Sequence, residues 1–301
     1  MSWVIKVPSS TSNLGAGFDS IGLALNLFLE LKVTKSESWE FIPGSDCLND
    51  IPTGKDNLVY QIAEQVAVKF DKGPLSPCRV EMKSDIPLAR GLGSSATATI
   101  AGIELANVLL DLNLSQEEKL DIATNIEGHP DNVAPSLMGG CVIGHFDYEV
   151  NWIKAKVENV TFVAIIPNFE LKTKEARAVL PSTFKYQEAV HASSIANVSV
   201  AAICQGDWEL LGKMMKKDLF HQPYRKYLIP HYEELEAYLE ESVYGTFLSG
   251  AGPTMIAIVN NIKVEELLNK WKADYSQFEW LPLQVENEGS MTMELDVPIN
   301  R

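Results

Sequence analysis

The chain has 301 residues, of which 46% are hydrophobic and 22% are charged, and this composition is that of an ordinary globular protein. Its formal net charge of -15 disfavours binding to nucleic acids and to anionic membrane surfaces, and no apolar run approaches the roughly 20 residues that a bilayer-spanning helix needs. The four cysteines are far apart in sequence and no signal peptide is recognisable, which favours reduced thiols and a cytoplasmic protein.

Predicted strands and helices then follow one another along the chain. The strands are predicted at residues 3–7, where Pro8 ends the first one, and at 22–33, 80–83, 162–166, 246–249, 254–259, 279–285 and 291–297, with a turn into a strand at 138–143. The helices are predicted at 58–69, from the glycine-rich stretch 91–95 through 110, from 115 onward, and at 190–204, 208–215, 231–241 and 264–272. Apolar residues every four positions support the helix over 58–69, and Ser115 with Glu118 has the spacing of a capping box.

These elements are mixed without strict alternation of strand and helix. That order favours an α+β fold over a doubly wound parallel sheet. We place a division near residue 155, which gives an N-terminal domain of residues 1–155 and a C-terminal domain of residues 156–301.

The most informative stretch covers residues 87–97, Pro-Leu-Ala-Arg-Gly-Leu-Gly-Ser-Ser-Ala-Thr. It opens a predicted helix, whose first backbone N–H groups are unpaired and whose dipole is positive at this end. Gly91 and Gly93 let the backbone approach a bulky anion, and Ser94 and Ser95 add hydroxyl groups. The stretch therefore predicts an anion-binding site.

Several interpretations of this loop compete. It is not a Walker A loop, because GxxxxGK[ST] occurs nowhere in the chain. It fits GxGxxA with Asp111 placed 20 residues beyond Gly91, as in dinucleotide-binding folds, but Asp111 ends a helical run and not a second strand. A serine-rich helix N-cap without ligand explains the isolated loop about equally well.

Two further segments decide between these interpretations. Residues 8–19 read Pro-Ser-Ser-Thr-Ser-Asn-Leu-Gly-Ala-Gly-Phe-Asp, and residues 245–254 read Gly-Thr-Phe-Leu-Ser-Gly-Ala-Gly-Pro-Thr. In order along most of the chain, the three segments resemble the three signature motifs of the GHMP kinases, and the first resembles homoserine kinases in particular. The resemblance implies a two-domain GHMP kinase fold, with an N-terminal domain like ribosomal protein S5 domain 2, a ferredoxin-like C-terminal domain and the active site between them.

The same resemblance implies a function. It indicates an enzyme that uses ATP and Mg²⁺ to phosphorylate the side-chain hydroxyl of L-homoserine to O-phospho-L-homoserine, a step toward threonine, and it suggests a homodimer. Another GHMP kinase of the mevalonate or shikimate type and a GHMP-fold protein that binds ligand without catalysis stay open, although the intact glycines and serines disfavour the second. A dinucleotide oxidoreductase is the remaining, disfavoured alternative.

Residues for the nucleotide and the metal are implied motif by motif. The nucleotide-binding set comprises the loop and two residues outside it: Pro87, Leu88, Ala89, Arg90, Gly91, Leu92, Gly93, Ser94, Ser95, Ala96, Thr97, Asn57 and Lys83. A solvated strand lysine explains Lys83 equally well. Ser95 and Glu127 are the implied Mg²⁺ ligands and count, with Asn132, as catalytic residues.

The implied substrate pocket must bind a zwitterion. Its residues are Asn13, Asp19, Asn132, Thr173, Arg177, Arg225 and Gly250. Arg177 and Arg225 would bind the carboxylate, because guanidinium groups bind carboxylates with two parallel hydrogen bonds, and Asp19 would bind the ammonium. The two arginines disfavour an uncharged sugar as substrate.

A general base is not implied. Asn132 stands where several GHMP kinases have an aspartate, and an amide accepts no proton near neutral pH. Positioning and electrostatics are then the main catalytic contributions, which suits a loose phosphoryl-transfer transition state. His129 is an alternative base, but its place beside Pro130 in a turn favours a structural role.

Overall fold

A computed structural model of the chain describes residues 2–295. The strands are β1 (Ser2–Ser12), β2 (Ile21–Lys35), β3 (Glu40–Pro43), β4 (Cys78–Ser84), β5 (Cys141–Phe146), β6 (Val150–Ala155), β7 (Val160–Ile166), β8 (Gly245–Leu248), β9 (Met255–Asn260), β10 (Glu279–Leu283) and β11 (Met291–Leu295). The helices are α1 (Leu58–Lys69), α2 (Ser94–Leu109), α3 (Gln116–Glu127), α4 (Val133–Met138), α5 (Thr173–Ala178), α6 (Tyr186–Gln205), α7 (Trp208–Met215), α8 (Gln222–Arg225), α9 (Tyr232–Leu239) and α10 (Val264–Asp274).

The strands form two sheets. The first has seven strands in the order β11-β1-β2-β4-β3, with β5 paired to β2 and β6 paired to β5. Its pairs are antiparallel except β3 with β4. The second sheet is antiparallel in the order β10-β7-β9-β8. This mixture of antiparallel sheets and helices confirms the predicted α+β class.

The two faces of the second sheet belong to two different hydrophobic cores. On β7, Phe162 and Ala164 join the main core, which also contains the buried side chains of the first sheet and of α1–α4. The alternate residues Val163 and Ile165 join a smaller core with Trp271 of α10. Successive side chains of a strand point to opposite faces, so one fully buried strand serves both cores.

Local sequence signals position several helices as predicted. The helix at 58–69 has the predicted bounds, and Ser115 and Glu118 form the capping box that starts α3, with hydrogen bonds of 3.1 and 2.8 Å. The prediction that Pro8 ends the first strand is wrong. A register shift between Pro8 and Ser9 accommodates the proline, and β1 continues to Ser12.

The predicted division at residue 155 separates the two sheets with one exception. Strands β1–β6 lie in the first sheet and β7–β10 in the second, but β11 returns to pair with β1, with Ser2 opposite Leu295. Of the strand predicted at 291–297, residues 296 and 297 lie outside the described residues. Where a domain boundary falls remains a prediction.

Candidate active site

A cleft of about 460 Å³ is lined by residues from both halves of the chain. From the first half come the turn after β1, the loop before α2 and the connection between α3 and α4. From the second half come the start of α5, the end of α8 and the loop after β8. Segments that are far apart in sequence therefore meet at one place.

All three motif segments are in direct contact here. The Ser249 hydroxyl donates to the carbonyl oxygen of Gly91 at 2.6 Å and lies 2.8 Å from the Thr11 hydroxyl. Asn13 Nδ2 donates to the carbonyl oxygen of Gly250 at 3.1 Å. The first and third motifs thus fix the position of the glycine-rich loop.

Glycine is required at two positions of the loop by contacts within the protein, and not only by the close approach of an anion. Gly93 is the N-cap of α2 and has φ 72°, a left-handed conformation that side chains disfavour. A Cβ atom there would lie 2.3 Å from the Ser10 hydroxyl oxygen and 2.9 Å from the Ser10 backbone nitrogen. At Gly91 it would lie 2.3 Å from the carbonyl oxygen of Ser249. Contacts with the other two motifs therefore require both glycines.

The structure brings most of the predicted loop residues to the cleft. Those that line it are Leu88, Ala89, Gly91, Gly93, Ser94, Ser95, Ala96 and Thr97. Pro87, Arg90 and Leu92 are not among the lining residues. Leu92 is buried in the main core, and Arg90 forms an ion pair with Glu170 at 3.4 Å.

Asn57 and Lys83, the predicted nucleotide residues outside the loop, differ in position. Asn57 lines the cleft, but its amide caps α1 by accepting from Val59 N at 3.0 Å and donates to the Pro52 carbonyl at 2.9 Å. Lys83 is not brought to the cleft. It lies on the exposed face of β4, because Met82 and Ser84 occupy the buried face of an alternating strand.

Ser95 and Glu127 lie together at the edge of the cleft. The Ser95 hydroxyl donates to Glu127 Oε1 at 3.3 Å, and the buried Thr99 donates to the same oxygen at 2.9 Å. Thr99 is one helical turn beyond Ser95 on α2, a spacing that would have indicated its contact with the same partner. A carboxylate and a hydroxyl are hard oxygen donors, so this group fits a magnesium ion.

Asn132 is held by serines of the first motif. Its Nδ2 donates to the Ser12 hydroxyl at 2.9 Å, and its Oδ1 accepts from the Ser10 hydroxyl at 3.2 Å. Both ends of the amide are therefore oriented. The neighbouring Asp131 is buried and forms a hydrogen bond with His129 Nδ1. Burial lowers the pKa of His129, but the hydrogen bond to Asp131 and its charge outweigh burial, so the pKa is raised overall.

Asp19 and Arg177 bind each other. Arg177 Nη2 donates to Asp19 Oδ1 at 2.7 Å and Nη1 donates to Oδ2 at 3.1 Å. The backbone N–H of Asp19 also donates to Asn13 Oδ1 at 3.1 Å. Thr173, about one helical turn before Arg177 at the start of α5, and Gly250 line the same cleft.

Arg225 is buried, with 2% of its surface exposed, and its described hydrogen-bond partners are all neutral. Its Nε donates to the Ala176 carbonyl at 3.1 Å, and Nη1 donates to the Gly250 carbonyl at 2.9 Å and lies 3.4 Å from His221 Nδ1. Burial, followed by the charge of Arg177, lowers the pKa of Arg225 to about 10. A buried cation without a carboxylate partner is costly, so this group is suited to receive an anion.

Sequence reasoning missed the aromatic residue between the two arginines. The Phe18 ring lies 5.5 Å from the Arg177 guanidinium and 5.1 Å from that of Arg225, and it stacks on the His221 ring at 5.3 Å. Cations are attracted to the face of an aromatic ring. Phe18 stands in the first motif beside Asp19, but its contacts with residues about 160 and 200 positions away carry no local sequence signal.

Comparisons with known proteins agree with this geometry. The family model for the GHMP kinases N terminal domain matches residues 57–140, and that for the GHMP kinases C terminal part matches residues 199–277. A homoserine kinase of Halalkalibacterium halodurans is 49% identical over 288 residues, covering 95% of this chain and 93% of that protein. One of Bacillus pumilus is 47% identical over 303 residues, covering 100% and 97%. The chain belongs to the homoserine kinase family.

Membership of the homoserine kinase family confirms the resemblance seen in the motifs and the two-domain GHMP kinase fold. The crystal structure of homoserine kinase from Cytophaga hutchinsonii matches with a TM-score of 0.82 at 26% identity, covering 97% of both chains. The family implies an ATP-dependent kinase, which removes the dinucleotide oxidoreductase alternative. Among residues 2–295, no helix combines the length and the apolar character needed to cross a membrane.

Proposed function

We propose that this protein transfers the γ-phosphoryl group of ATP to the side-chain hydroxyl of L-homoserine. One observation carries the proposal beyond family membership. The buried Arg225, whose hydrogen-bond partners among residues 2–295 are all neutral, and the Asp19–Arg177 pair lie in the cleft that the glycine-rich loop also lines. The cleft therefore offers cations for a carboxylate and an anion for an ammonium beside a phosphate-binding loop, as a zwitterionic alcohol requires.

In this proposal the loop N–H groups at the start of α2 bind the phosphates of ATP, aided by the positive end of the helix dipole. Ser95 and Glu127 would hold Mg²⁺, which would supply positive charge to offset the negative charge of the phosphates. The oriented amide of Asn132 positions the substrate hydroxyl. The oxygen of the substrate hydroxyl forms the new bond to the γ-phosphorus as the bond between that phosphorus and ADP breaks. The proton of the hydroxyl passes to the transferred phosphate or to water.

The substrate assignment is tested by a coupled assay of ADP release with homoserine, mevalonate, shikimate and galactose. We expect homoserine alone to support turnover well above the rate without acceptor. Preferred turnover of mevalonate or shikimate would replace the proposal by another GHMP kinase. ATP binding without turnover of any acceptor would favour the non-catalytic alternative.

We also propose that the protein forms a homodimer through α6. This helix has 20 residues but only one charged side chain, Glu188, and it exposes 87% of Tyr186, 48% of Val190 and 38% of Val198. Each copy carries a net charge of -15, so an uncharged face is where a second copy meets the least repulsion. Light scattering should show a dimer, and Val190→Glu with Val198→Glu should convert it to a monomer. A wild-type monomer at assay concentrations would refute this proposal.

A cytoplasmic location completes the proposal. Cys47, Cys78, Cys141 and Cys204 are all free thiols in the structure, which suits a reducing compartment. Cell fractionation against a periplasmic or secreted marker tests this location.

A further inference from the structure

His221 is a fully buried histidine that connects the two halves of the cleft. Its side chain is 0% exposed. Nε2 lies 2.8 Å from the carbonyl oxygen of Gly15, in the turn after β1, and Nδ1 lies 3.4 Å from Nη1 of Arg225, in α8. A carbonyl oxygen only accepts, so Nε2 carries the proton, and Nδ1 is left as an acceptor that faces the guanidinium.

The buried carboxylate beside His221 is held by groups other than Arg225, although its charge, with those of Asp19 and Asp131, acts on the guanidinium. The buried carboxylate of Asp218 lies 3.5 Å from His221 Nε2, and it accepts from the backbone N–H groups of Phe220, His221 and Gln222 at 2.8, 3.1 and 2.8 Å. Burial is the main reason that the pKa of His221 is lowered, so the ring is neutral. Within residues 2–295, no carboxylate forms an ion pair with Arg225.

We propose that His221 is a positioning residue for the substrate carboxylate. It holds the Arg225 guanidinium through Nδ1 and ties it, through Nε2 and Gly15, to the turn that carries Asn13 and Asp19. The sites for the carboxylate and the ammonium then keep a fixed separation, although they belong to different halves of the chain. This inference rests on the proposed function, because it assumes a zwitterionic substrate in this cleft.

The stack of His221 on Phe18 offers a purely structural alternative, in which the ring only fills space. Three substitutions separate the two roles. His221→Asn places an amide oxygen near the position of Nδ1 and keeps the acceptor for Arg225. His221→Gln reaches the position of Nε2 and keeps the donor to Gly15. His221→Phe keeps the aromatic stack and loses both hydrogen bonds.

The experiment measures KM for homoserine, KM for ATP and kcat for the full-length variants. We expect His221→Gln and His221→Phe to raise KM for homoserine about tenfold or more, because one net hydrogen bond is about one decade of affinity. His221→Asn keeps the acceptor for Arg225 but loses the donor to Gly15, so its KM for homoserine should fall between that of wild type and those of the other two variants. KM for ATP and kcat at saturating homoserine should change by less than about threefold in all three. His145→Gln, at an exposed position of β5, is the matched control and should behave as wild type.

Coupling to Arg225 is tested in the same assay. When Arg225 is already replaced by lysine, the further change His221→Gln should raise KM for homoserine by less than about threefold. The two substitutions disrupt the same interaction, so their effects are not additive. Melting temperatures and calorimetric ATP binding show whether each variant is folded. The inference would be overturned if His221→Gln raised KM for homoserine by the same factor with and without Arg225→Lys. It would also be overturned if both His221→Gln and His221→Phe had the wild-type KM for homoserine.

A parallel rise of both KM values in all three variants would also overturn it, since that pattern marks a general structural role. None of these outcomes resembles failure of the proposed function, which would appear as absence of homoserine-dependent turnover in the wild-type protein itself.

Discussion

Arg177 and Asp19 satisfy each other through two hydrogen bonds of 2.7 and 3.1 Å across 158 positions of the chain. In the proposed function these are the groups that bind the substrate carboxylate and ammonium. The charges of Arg177 and Asp19 therefore neutralise each other, and a zwitterion can replace both halves of this pair at once. A substrate with only one charged end would leave one partner unpaired, which costs free energy.

The first prediction concerns this pair. Asp19→Asn should raise KM for homoserine by about 10- to 150-fold, because a charge-assisted hydrogen bond contributes about 1.5–3 kcal/mol. It should also reduce the preference for homoserine over 4-hydroxybutyrate, which lacks the amine. Steady-state kinetics with both acceptors measure the effect. Glu175→Gln, an exposed acid on α5, makes the same change of charge nearby and should be neutral. The idea fails if wild-type enzyme uses 4-hydroxybutyrate as efficiently as homoserine.

The second prediction concerns Arg225. Arg225→Met should raise KM for homoserine by about 10- to 150-fold with little change in KM for ATP, since the substrate carboxylate loses a buried cation. The KM of Arg225→Lys for homoserine should fall between those of wild type and Arg225→Met, because lysine keeps the charge and loses the planar guanidinium. Arg79→Met removes an exposed arginine of β4 and serves as control. Loss of ATP affinity in place of homoserine affinity would put Arg225 on the nucleotide side.

The third prediction concerns the proposed metal ligands. Glu127→Gln and Ser95→Ala should each lower kcat about 100-fold or more, because the metal stabilises charge that develops during phosphoryl transfer. Thr99→Val should have a smaller effect, since it removes only the hydrogen bond that orients Glu127. Titration with Mn²⁺, followed by electron paramagnetic resonance, measures metal binding independently of turnover. Wild-type kcat in Glu127→Gln at saturating Mg²⁺ would remove Glu127 from the metal site.

The fourth prediction concerns Gly93. Gly93→Ala should destabilise the protein by about 2–4 kcal/mol, from a strained left-handed residue and a clash with Ser10. ATP affinity should fall as well, because the loop cannot keep its position. Denaturant unfolding and calorimetry measure the two effects. At Gly73 an added Cβ meets nothing within 4 Å, so Gly73→Ala is the matched control. If Gly93→Ala had the same denaturant midpoint of unfolding as wild type, the loop would be able to accommodate the added methyl group without loss of stability.

The sequence predicted those parts of the fold and the candidate site that depend on neighbouring residues. The capping box of Ser115 and the helix at 58–69 are local, and the three motifs indicated the family directly. The alternation of apolar and polar residues along β4 is also a local signal, and it is sufficient to place Lys83 on the outer face. The tertiary partners could not be predicted in this way. Nothing near His221 in sequence indicates that it contacts Gly15.

The pairing of β11 with β1 has a consequence for how the protein is made. While the ribosome is still adding residues 291–295, the backbone of residues 2–6 lacks its partner strand and presents an open sheet edge. The first half of the chain is synthesised first but gains this strand only after residues 291–295 have been added. Such distant pairing slows folding and lengthens exposure of the edge. Nascent chains stalled before residue 291 should therefore bind chaperones that recognise extended apolar segments.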